Sequence, residues 1–266
     1  MKKQLTNFLR QLRLVSLADK ARFQFFKWKN KKRNKLFKEE HPEVALPPDY
    51  LMYESFQLNY RKYYDSSFHA AEAIVTDLKK HIDLNGKTIL DWGCGPARIV
   101  RHLPKILDHT CEIHGTDYNT ASIAWCKTHI SDVKFHHNKL QADLKFDDKT
   151  FDVIYGLSIL THLSEPMHKA WIDELFRILK PNGILYVTTH GDNYRSLLRP
   201  AELSKFDQGE LVVRGNVKEG HRMFTAFQPK EKMQLYFQDA TILEHKTAPA
   251  NKNWRPQDIW IVQKQA

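Results

Sequence analysis

The chain has 266 residues, of which 42% are hydrophobic and 12% aromatic. This composition can bury a core and excludes a wholly disordered or low-complexity protein. Lysines and arginines number 41 against 31 aspartates and glutamates, and the whole excess of ten lies in residues 1–40. Residues 41–266 are neutral overall, so the basic character belongs to an N-terminal arm.

The cysteine content and the hydropathy of the sequence indicate the cellular compartment of the protein. Three cysteines, none in a Cys-x-x-Cys pair, leave one unmatched in any disulfide scheme, which indicates a reducing environment. Arg10 and Arg13 interrupt the apolar stretch of a secretory signal, and no run of about 18 apolar residues predicts a membrane span. We expect a cytoplasmic protein, with peripheral contact to the inner face of the membrane as an open alternative.

The arm is predicted to be helical and basic. Leucine and phenylalanine at helical spacing predict an amphipathic helix over residues 3–18. Residues 21–38 interleave aromatic side chains, among them Phe23, Phe25, Phe26 and Trp28, with eight basic ones. Such a stretch can pack its aromatics on the protein, lie on an anionic membrane through residues 1–40, or bind nucleic acid phosphates. Prolines after residue 41 mark a linker, which divides the chain into an arm (1–48) and a main domain (49–266).

Short apolar runs alternate with helical patterns from residue 87 to residue 189. Alternation of this kind predicts an α/β fold with a doubly wound, mostly parallel sheet. The predicted strands are Thr88–Trp92, Glu112–Asp117, Val133–His136, Phe151–Gly156 and Ile184–Thr189.

The C-terminal part breaks this alternation. Residues 191–228 are long and polar with few clear elements. Two closing strand candidates, Ala240–His245 and Asp258–Gln263, predict an antiparallel hairpin at the sheet edge.

A glycine turn follows the first predicted strand. Gly93 and Gly95 flank Cys94, so the backbone can turn tightly and approach a ligand where open α/β sheets bind them. A dinucleotide-binding fingerprint needs a further glycine where Arg98 stands, so this loop is not predicted to cradle a pyrophosphate.

Two carboxylates at the strand ends suggest the ligand instead. Asp91 precedes the turn and suits a cationic amine, whereas Asp117 ends the second strand and could accept hydrogen bonds from both ribose hydroxyls. A nucleoside with an ammonium group at its other end fits this pair, and S-adenosylmethionine is such a ligand.

Four segments in this order resemble the class I S-adenosylmethionine-dependent methyltransferases: ILDWGCGPAR, GTDYN, LKFDDKTFDVIYGLSILTHL and FRILKPNGILYVTTHG. The resemblance implies a Rossmann-like, seven-stranded sheet with six parallel strands and one antiparallel strand. The stretch THLSE and the terminal QDIWIVQK resemble a subgroup of uncharacterised bacterial methyltransferases, which suggests a small-molecule or saccharide (glycan) acceptor.

The resemblance also implies roles for individual residues. The first motif, around the methionine moiety, corresponds to Asp91, Gly93, Cys94 and Gly95; the ribose-binding acid is Asp117, and Tyr118 flanks the adenine. The acid usual after the third strand is missing, and its place is taken by Leu140 with Asn138 close by. Three residues after the fourth strand are expected to line the methyl end, namely Gly156, Leu157 and Ser158.

Methyl transfer to a hydroxyl or a protonated amine benefits from a general base. His162 and His190 follow the fourth and fifth strands, at the edge where an acceptor enters, so both are candidate catalytic bases or, alternatively, loop caps. Histidine spacing matches no known metal site, and we expect no metal.

Two further segments are candidate covers for the site. Five aromatic residues after the linker could form a lid over the sulfonium or belong to a core: Tyr53, Phe56, Tyr60, Tyr63 and Tyr64. The insert at 191–228 is the candidate acceptor-side cap.

These observations predict an enzyme that methylates oxygen or nitrogen of a small-molecule or saccharide acceptor. The alternative is a methyltransferase that binds or modifies nucleic acid through the basic arm, and a third option is a cofactor-binding module without activity. The sequence has no Asn-Pro-Pro-Tyr type motif and no Pro-Cys nucleophile, which disfavours nucleic acid methylation.

Overall fold

The computed structural model describes residues 15–215, 217–251 and 254–266. Most of the helix predicted over residues 3–18 lies outside these ranges. The chain divides into two compact units, one ending at Ala70 and the other running from Ala71 to Ala266. Among the described residues no helix is long and apolar enough to cross a bilayer.

The first unit is helical. It contains α1 (Val15–Glu40), α2 (Asp49–Ser55) and the beginning of α3 (Tyr60–Leu78). The aromatics that follow the linker supply much of its core, in which the buried residues are Phe37, Met52, Tyr53, Leu58, Tyr60 and Tyr63. Tyr64 packs against this cluster. Four of the five aromatic residues considered as a possible lid therefore belong to the core of this unit or pack against it.

The second unit contains a seven-stranded sheet. Its strands are β1 (Thr88–Trp92), β2 (Glu112–Asp117), β3 (Lys134–His137), β4 (Phe151–Gly156), β5 (Leu179–Thr189), β8 (Ala240–Thr247) and β9 (Asp258–Lys264). They lie side by side in the order β3-β2-β1-β4-β5-β9-β8. Only β9 runs antiparallel to its neighbours in this sheet. The predicted fold class, including the C-terminal hairpin, is confirmed.

Helices connect the parallel strands. They are α4 (Leu103–Ile106), α5 (Thr120–His129), α6 (Glu165–Ile178) and α8 (Lys230–Tyr236). The Asn119 side chain caps α5 by accepting hydrogen bonds from the backbone N–H groups of Ala121 and Ser122. The pattern after β1 predicts a full helix, but the structure has one 3₁₀ turn, Val100–His102, followed by the four residues of α4.

The insert between β5 and α8 is more ordered than its polar sequence suggests. It contains a 3₁₀ helix (Asp192–Leu197), α7 (Pro200–Asp207) and a hairpin of β6 (Val212–Arg214) with β7 (Thr225–Phe227). Its own buried cluster is formed by Leu198, Phe206, Val212 and Phe227. Strands of three residues carry too little periodicity to be predicted from sequence.

Tryptophans anchor the core of the sheet. Trp92 and Trp171 bring β1 and α6 together with ring centroids 5.0 Å apart. Trp260 of β9 donates a hydrogen bond from its indole N–H to the Thr189 hydroxyl at 3.0 Å and stacks on His245 at 3.7 Å. Because the Trp260 indole is buried and satisfied, its removal leaves both a cavity and an unpaired hydroxyl.

We expect Trp260→Ala to lower the free energy of unfolding by about 3–5 kcal/mol. Trp254 is 57% exposed, so Trp254→Ala serves as the matched control and should change stability by no more than about 0.5 kcal/mol. Urea denaturation followed by circular dichroism measures both. Equal effects of the two substitutions would contradict this account of the core.

Candidate functional site

The loop after β1 is fastened to the end of β2. The backbone N–H groups of Gly93 and Cys94 both donate to the carbonyl oxygen of Thr116, at 2.8 and 3.0 Å. Gly93 has a φ of 79°, which glycine adopts at little cost. Ala97 has a φ of 59° and so also adopts the left-handed conformation. Many members of the family that the sequence resembles have a glycine at this position.

Asp117 ties two backbone segments together. One carboxylate oxygen accepts a hydrogen bond from the N–H of Gly95 at 2.9 Å, and the other accepts one from the N–H of Asn119 at 2.7 Å. Burial raises the pKa of this carboxyl, while the two backbone donors lower it. Each oxygen keeps a further lone pair, so the carboxylate can still accept hydrogen bonds from a ligand.

Asp91 is a second buried carboxyl at the same sheet edge. One of its oxygens accepts a hydrogen bond from the Tyr155 hydroxyl at 2.8 Å. Burial, with a smaller contribution from the charge of Asp117, raises the pKa of Asp91 to about 7, although the Tyr155 hydroxyl and the charge of Arg98 act in the opposite direction. Two buried acids close to each other favour a cation beside them, because a positive charge would stabilise their ionised forms.

A cleft opens beside these carboxyls. Its enclosed part has a volume of about 60 Å³, less than the roughly 300–1,000 Å³ of small-molecule sites, so a bound ligand would extend through the open mouth of the cleft. Six predicted site residues line it: Gly93, Asp117, Tyr118, Asn138, Leu140 and His162. The structure therefore brings together residues from the ends of β1, β2 and β3 and from the 3₁₀ turn Leu160–His162 that follows β4.

The other half of the cleft lining was not predicted. It consists of Trp92, Lys139, Ile159, Leu163, Trp171 and Gly220. Ile159 comes directly after the predicted stretch 156–158, and a Cβ added at Gly93 would meet its Cδ1 at 2.1 Å. Trp171 donates from its indole N–H to the Leu140 carbonyl at 3.1 Å, which fixes the segment after β3. Gly220 could not be placed from sequence, because it lies about 100 residues along the chain from Tyr118.

Seven predicted residues do not line the cleft: Asp91, Cys94, Gly95, Gly156, Leu157, Ser158 and His190. Cys94 is buried, and a Cβ added at Gly115 would lie 3.0 Å from its sulfur atom. A Cβ at Gly156 would meet the Trp92 ring at 2.5 Å, which gives this glycine a packing role. Ser158 donates from its hydroxyl to the side-chain oxygen of Gln257 at 2.9 Å. The roles of these seven residues toward a cofactor remain predictions.

The Asn138 amide is occupied by protein contacts. Its oxygen accepts a hydrogen bond from the Thr116 hydroxyl at 2.7 Å, and its nitrogen donates to the Lys139 carbonyl at 2.6 Å. Leu140 adds an apolar surface beside it. This part of the cleft therefore suits a flat, largely apolar group.

The histidine tautomers follow from their hydrogen bonds. His162 Nδ1 lies 2.7 Å from the Phe224 carbonyl, and His190 Nδ1 lies 3.0 Å from the Ala226 carbonyl. A carbonyl can only accept, so Nδ1 carries the hydrogen in both rings and Nε2 of each neutral ring is an acceptor. Burial lowers the pKa of His162 and lowers that of His190 to about 4, so both are neutral at pH 7.

The insert closes one side of the cleft. The Tyr118 hydroxyl donates to the carbonyl of Gly220 at 3.1 Å, and the Gly220 N–H donates to the carbonyl of His162 at 3.0 Å. A Cβ at Gly220 would meet Leu140 Cδ1 at 2.8 Å, so only glycine fits here without displacing the cleft wall. The insert thus contacts residues from both halves of the site.

Comparison with known proteins agrees with this geometry. Residues 89–183 match the family described as a methyltransferase domain. This match, together with the fold and the relatives below, supports a class I S-adenosylmethionine-dependent methyltransferase. The matched residues run from β1 into β5 and include most of the cleft lining.

Relatives of the domain include named enzymes. A probable S-adenosylmethionine-dependent methyltransferase of Mycolicibacterium smegmatis is 29% identical over 126 residues, which is 47% of each chain. A ubiquinone biosynthesis O-methyltransferase of Coxiella burnetii is 27% identical and aligns with 46% of this chain and 51% of its own length. The chain thus spans about half the length of these curated relatives.

Solved structures share the fold. An S-adenosylmethionine-dependent methyltransferase from Methanosarcina mazei superposes with a TM-score of 0.56 at 20% identity. The match covers 71% of this chain and 97% of the other. At this identity the likeness establishes the fold alone.

S-adenosylmethionine is the cofactor of this class, and the site residues fit it. Asp117, which lines the cleft, suits its ribose hydroxyls, and the buried carboxyl of Asp91 behind the lining would favour its cationic methionine end. Between Leu140 and Ile159 the cleft offers apolar surface for an adenine ring. No group of three or more metal-ligating side chains occurs among the described residues.

We expect Asp117→Asn to weaken binding of S-adenosylhomocysteine about tenfold or more, because the carboxylate would lose charge and acceptor capacity toward the ribose. Isothermal titration calorimetry measures the dissociation constant. Asp173 pairs with Lys169 on the exposed surface of α6, so Asp173→Asn is the matched control and should bind normally. An unchanged dissociation constant in a folded Asp117→Asn protein would contradict the assignment.

Proposed function

We propose that the protein transfers a methyl group from S-adenosylmethionine to an oxygen or nitrogen of a small-molecule or saccharide acceptor. The observation that carries this proposal is the neutral His162 ring, which lines the same cleft as Gly93 and Asp117. Among the described residues its Nε2 atom makes no hydrogen bond, so an acceptor group can use it. No finding favours a nucleic acid acceptor.

The protein residues divide into a binding set and a proton-accepting group. Asp117 and the turn at Gly93 would hold the nucleoside and methionine ends, and Tyr118 would flank the adenine. When bound, S-adenosylmethionine supplies an electrophilic methyl group on a sulfonium that leaves as a neutral thioether. The largely apolar lining would limit the access of water to the reacting groups.

His162 would accept the proton that the acceptor loses. A hydroxyl oxygen that takes the methyl group must release its hydrogen, and Nε2 of His162 can bind that hydrogen while Nδ1–H stays on the Phe224 carbonyl. Because burial lowers the pKa of His162, it is a weak base. A weak base suits an acidic hydroxyl such as a phenol, with a pKa of about 10, better than an aliphatic alcohol.

The need for a base favours oxygen over nitrogen. A neutral amine already has a free lone pair and requires no proton acceptor to attack a methyl group. The Coxiella burnetii relative, named as an O-methyltransferase of ubiquinone biosynthesis, supports the same preference. We therefore place acidic hydroxyl acceptors first and saccharide hydroxyls second.

His190 has a supporting position in this proposal. It does not line the cleft, its ring stacks on Tyr194 at 4.0 Å, and its Nδ1–H donates to the carbonyl of Ala226, two residues after the His162 partner Phe224. Burial, with a smaller contribution from the charge of a protonated His162, lowers the pKa of His190 to about 4. Protonation of both at once is therefore disfavoured.

We expect His162→Gln to lower kcat about a hundredfold toward phenolic acceptors, because the proton acceptor is removed. Methyl-labelled S-adenosylmethionine with a panel of phenols and methyl glycosides, read by mass shift, measures the rate. S-adenosylhomocysteine affinity should stay unchanged. His109, on the exposed surface, provides the control His109→Gln, which should keep full activity.

The pH dependence gives an independent check on His162. Because burial lowers the pKa of His162 below the ordinary value of 6.5, kcat of the unaltered protein should fall on acidification at a lower pH than an ordinary histidine would give. His162→Gln should lose this acidic limb. An unchanged rate and an unchanged pH profile in the variant would overturn the assignment of His162 as the base.

A further inference from the structure

The outer face of α1 carries an apolar stripe. Leu17, Phe25, Trp28 and Leu36 are between 51% and 73% exposed. They are spaced by 8, 3 and 8 residues, which at about 100° per residue places all four within an arc of about 100°. Four large apolar side chains on one exposed helix face are costly in water and indicate a surface that meets a partner.

The opposite face of α1 is already occupied. Phe37 belongs to the core cluster of the first unit, and Phe23 and Phe26 pack against that cluster. Asn34, which is buried, accepts a hydrogen bond from the backbone N–H of Tyr60 at 3.0 Å. These contacts fix the rotation of the helix, so the outer stripe cannot turn inward to join the core.

Basic side chains surround the stripe. Nine lysines and arginines in residues 17–40 are exposed: Lys20, Arg22, Lys27, Lys29, Lys31, Lys32, Arg33, Lys35 and Lys38. The acids of the same stretch are Asp19, Glu39 and Glu40, and the last two lie at the end of the helix, where they pair with Lys35 and Arg61. The ammonium group of Lys29 lies 5.9 Å from the Phe25 ring centroid, so cationic and apolar groups adjoin on this face.

We propose that the outer face of α1 binds the surface of an anionic lipid bilayer. Its apolar side chains would enter the boundary between headgroups and acyl chains, while the long lysine stems let their ammonium groups reach lipid phosphates. The 26 residues of α1 form a rod of about 39 Å, which would lie parallel to the membrane surface because the helix is too polar to span it.

The composition of the face favours lipid over nucleic acid. Leu17 and Leu36 have no role in phosphate or base recognition, whereas aliphatic side chains beside Trp28 are typical of interfacial helices. Seven of the nine exposed bases are lysines, which lack the bidentate geometry that arginine offers to phosphates and bases. An exposed tryptophan is also suited to the headgroup region, where one edge of its ring meets water.

Vesicle co-sedimentation of the full chain tests this proposal. Phosphatidylcholine vesicles with and without phosphatidylserine should separate the apolar and electrostatic contributions. We expect binding only with phosphatidylserine, weakened by added salt. Phe25→Ser combined with Trp28→Ser should lower the partition coefficient about tenfold or more, whereas Trp254→Ser, which removes an exposed tryptophan elsewhere, should bind like the unaltered protein.

Two results would overturn the proposal. Unchanged binding of the double variant to phosphatidylserine vesicles would mean that charge alone acts. Retention of the chain on single-stranded RNA without any vesicle binding would assign the face to nucleic acid. Because Phe25 and Trp28 are exposed, the double variant should keep its circular dichroism spectrum, so a loss of vesicle binding would not reflect unfolding.

Discussion

The site depends on the way the end of β2 holds the loop after β1. One carbonyl, that of Thr116, accepts two successive N–H groups, and the next residue, Asp117, accepts the N–H of Gly95 with its carboxylate. These three bonds fix a turn whose two glycines both have positive φ angles. The geometry of the turn, and with it the position of the cleft, follows from these three hydrogen bonds.

The same attachment determines the electrostatics of the cleft. A carboxylate that holds the turn must be buried, and burial raises its pKa and that of Asp91 behind it. A cationic ligand offsets this cost, since its charge favours the ionised carboxylates. Asp117 therefore stabilises the turn, and we propose that the two acids favour a positively charged nucleoside derivative. On the acceptor side, burial keeps His162 neutral, so its Nε2 atom is available as a proton acceptor.

Local patterns predict the sheet and half of the cleft. Strands such as β1 and β4 are buried on both faces and stand out as apolar runs, and parallel strand ends bring Gly93, Asp117 and Asn138 to one edge. Contacts made by distant residues are not visible in such patterns. Gly220 reaches Tyr118 only through the folded insert, and the His162 tautomer depends on the Phe224 carbonyl. Likewise, Phe25 and Phe26 are neighbours in sequence, and only the packing of α1 shows that one is exposed and the other packed against the core.

A crystal structure of the full chain with S-adenosylhomocysteine tests the central claim most directly. We predict the ribose hydroxyls on the Asp117 carboxylate, the adenine beside Tyr118 and Leu140, and the homocysteine end at the turn of Gly93. The thioether sulfur should face the side of the cleft that His162 lines. Binding of S-adenosylhomocysteine elsewhere on the molecule, or its absence from the cleft at saturating concentration, would contradict the account.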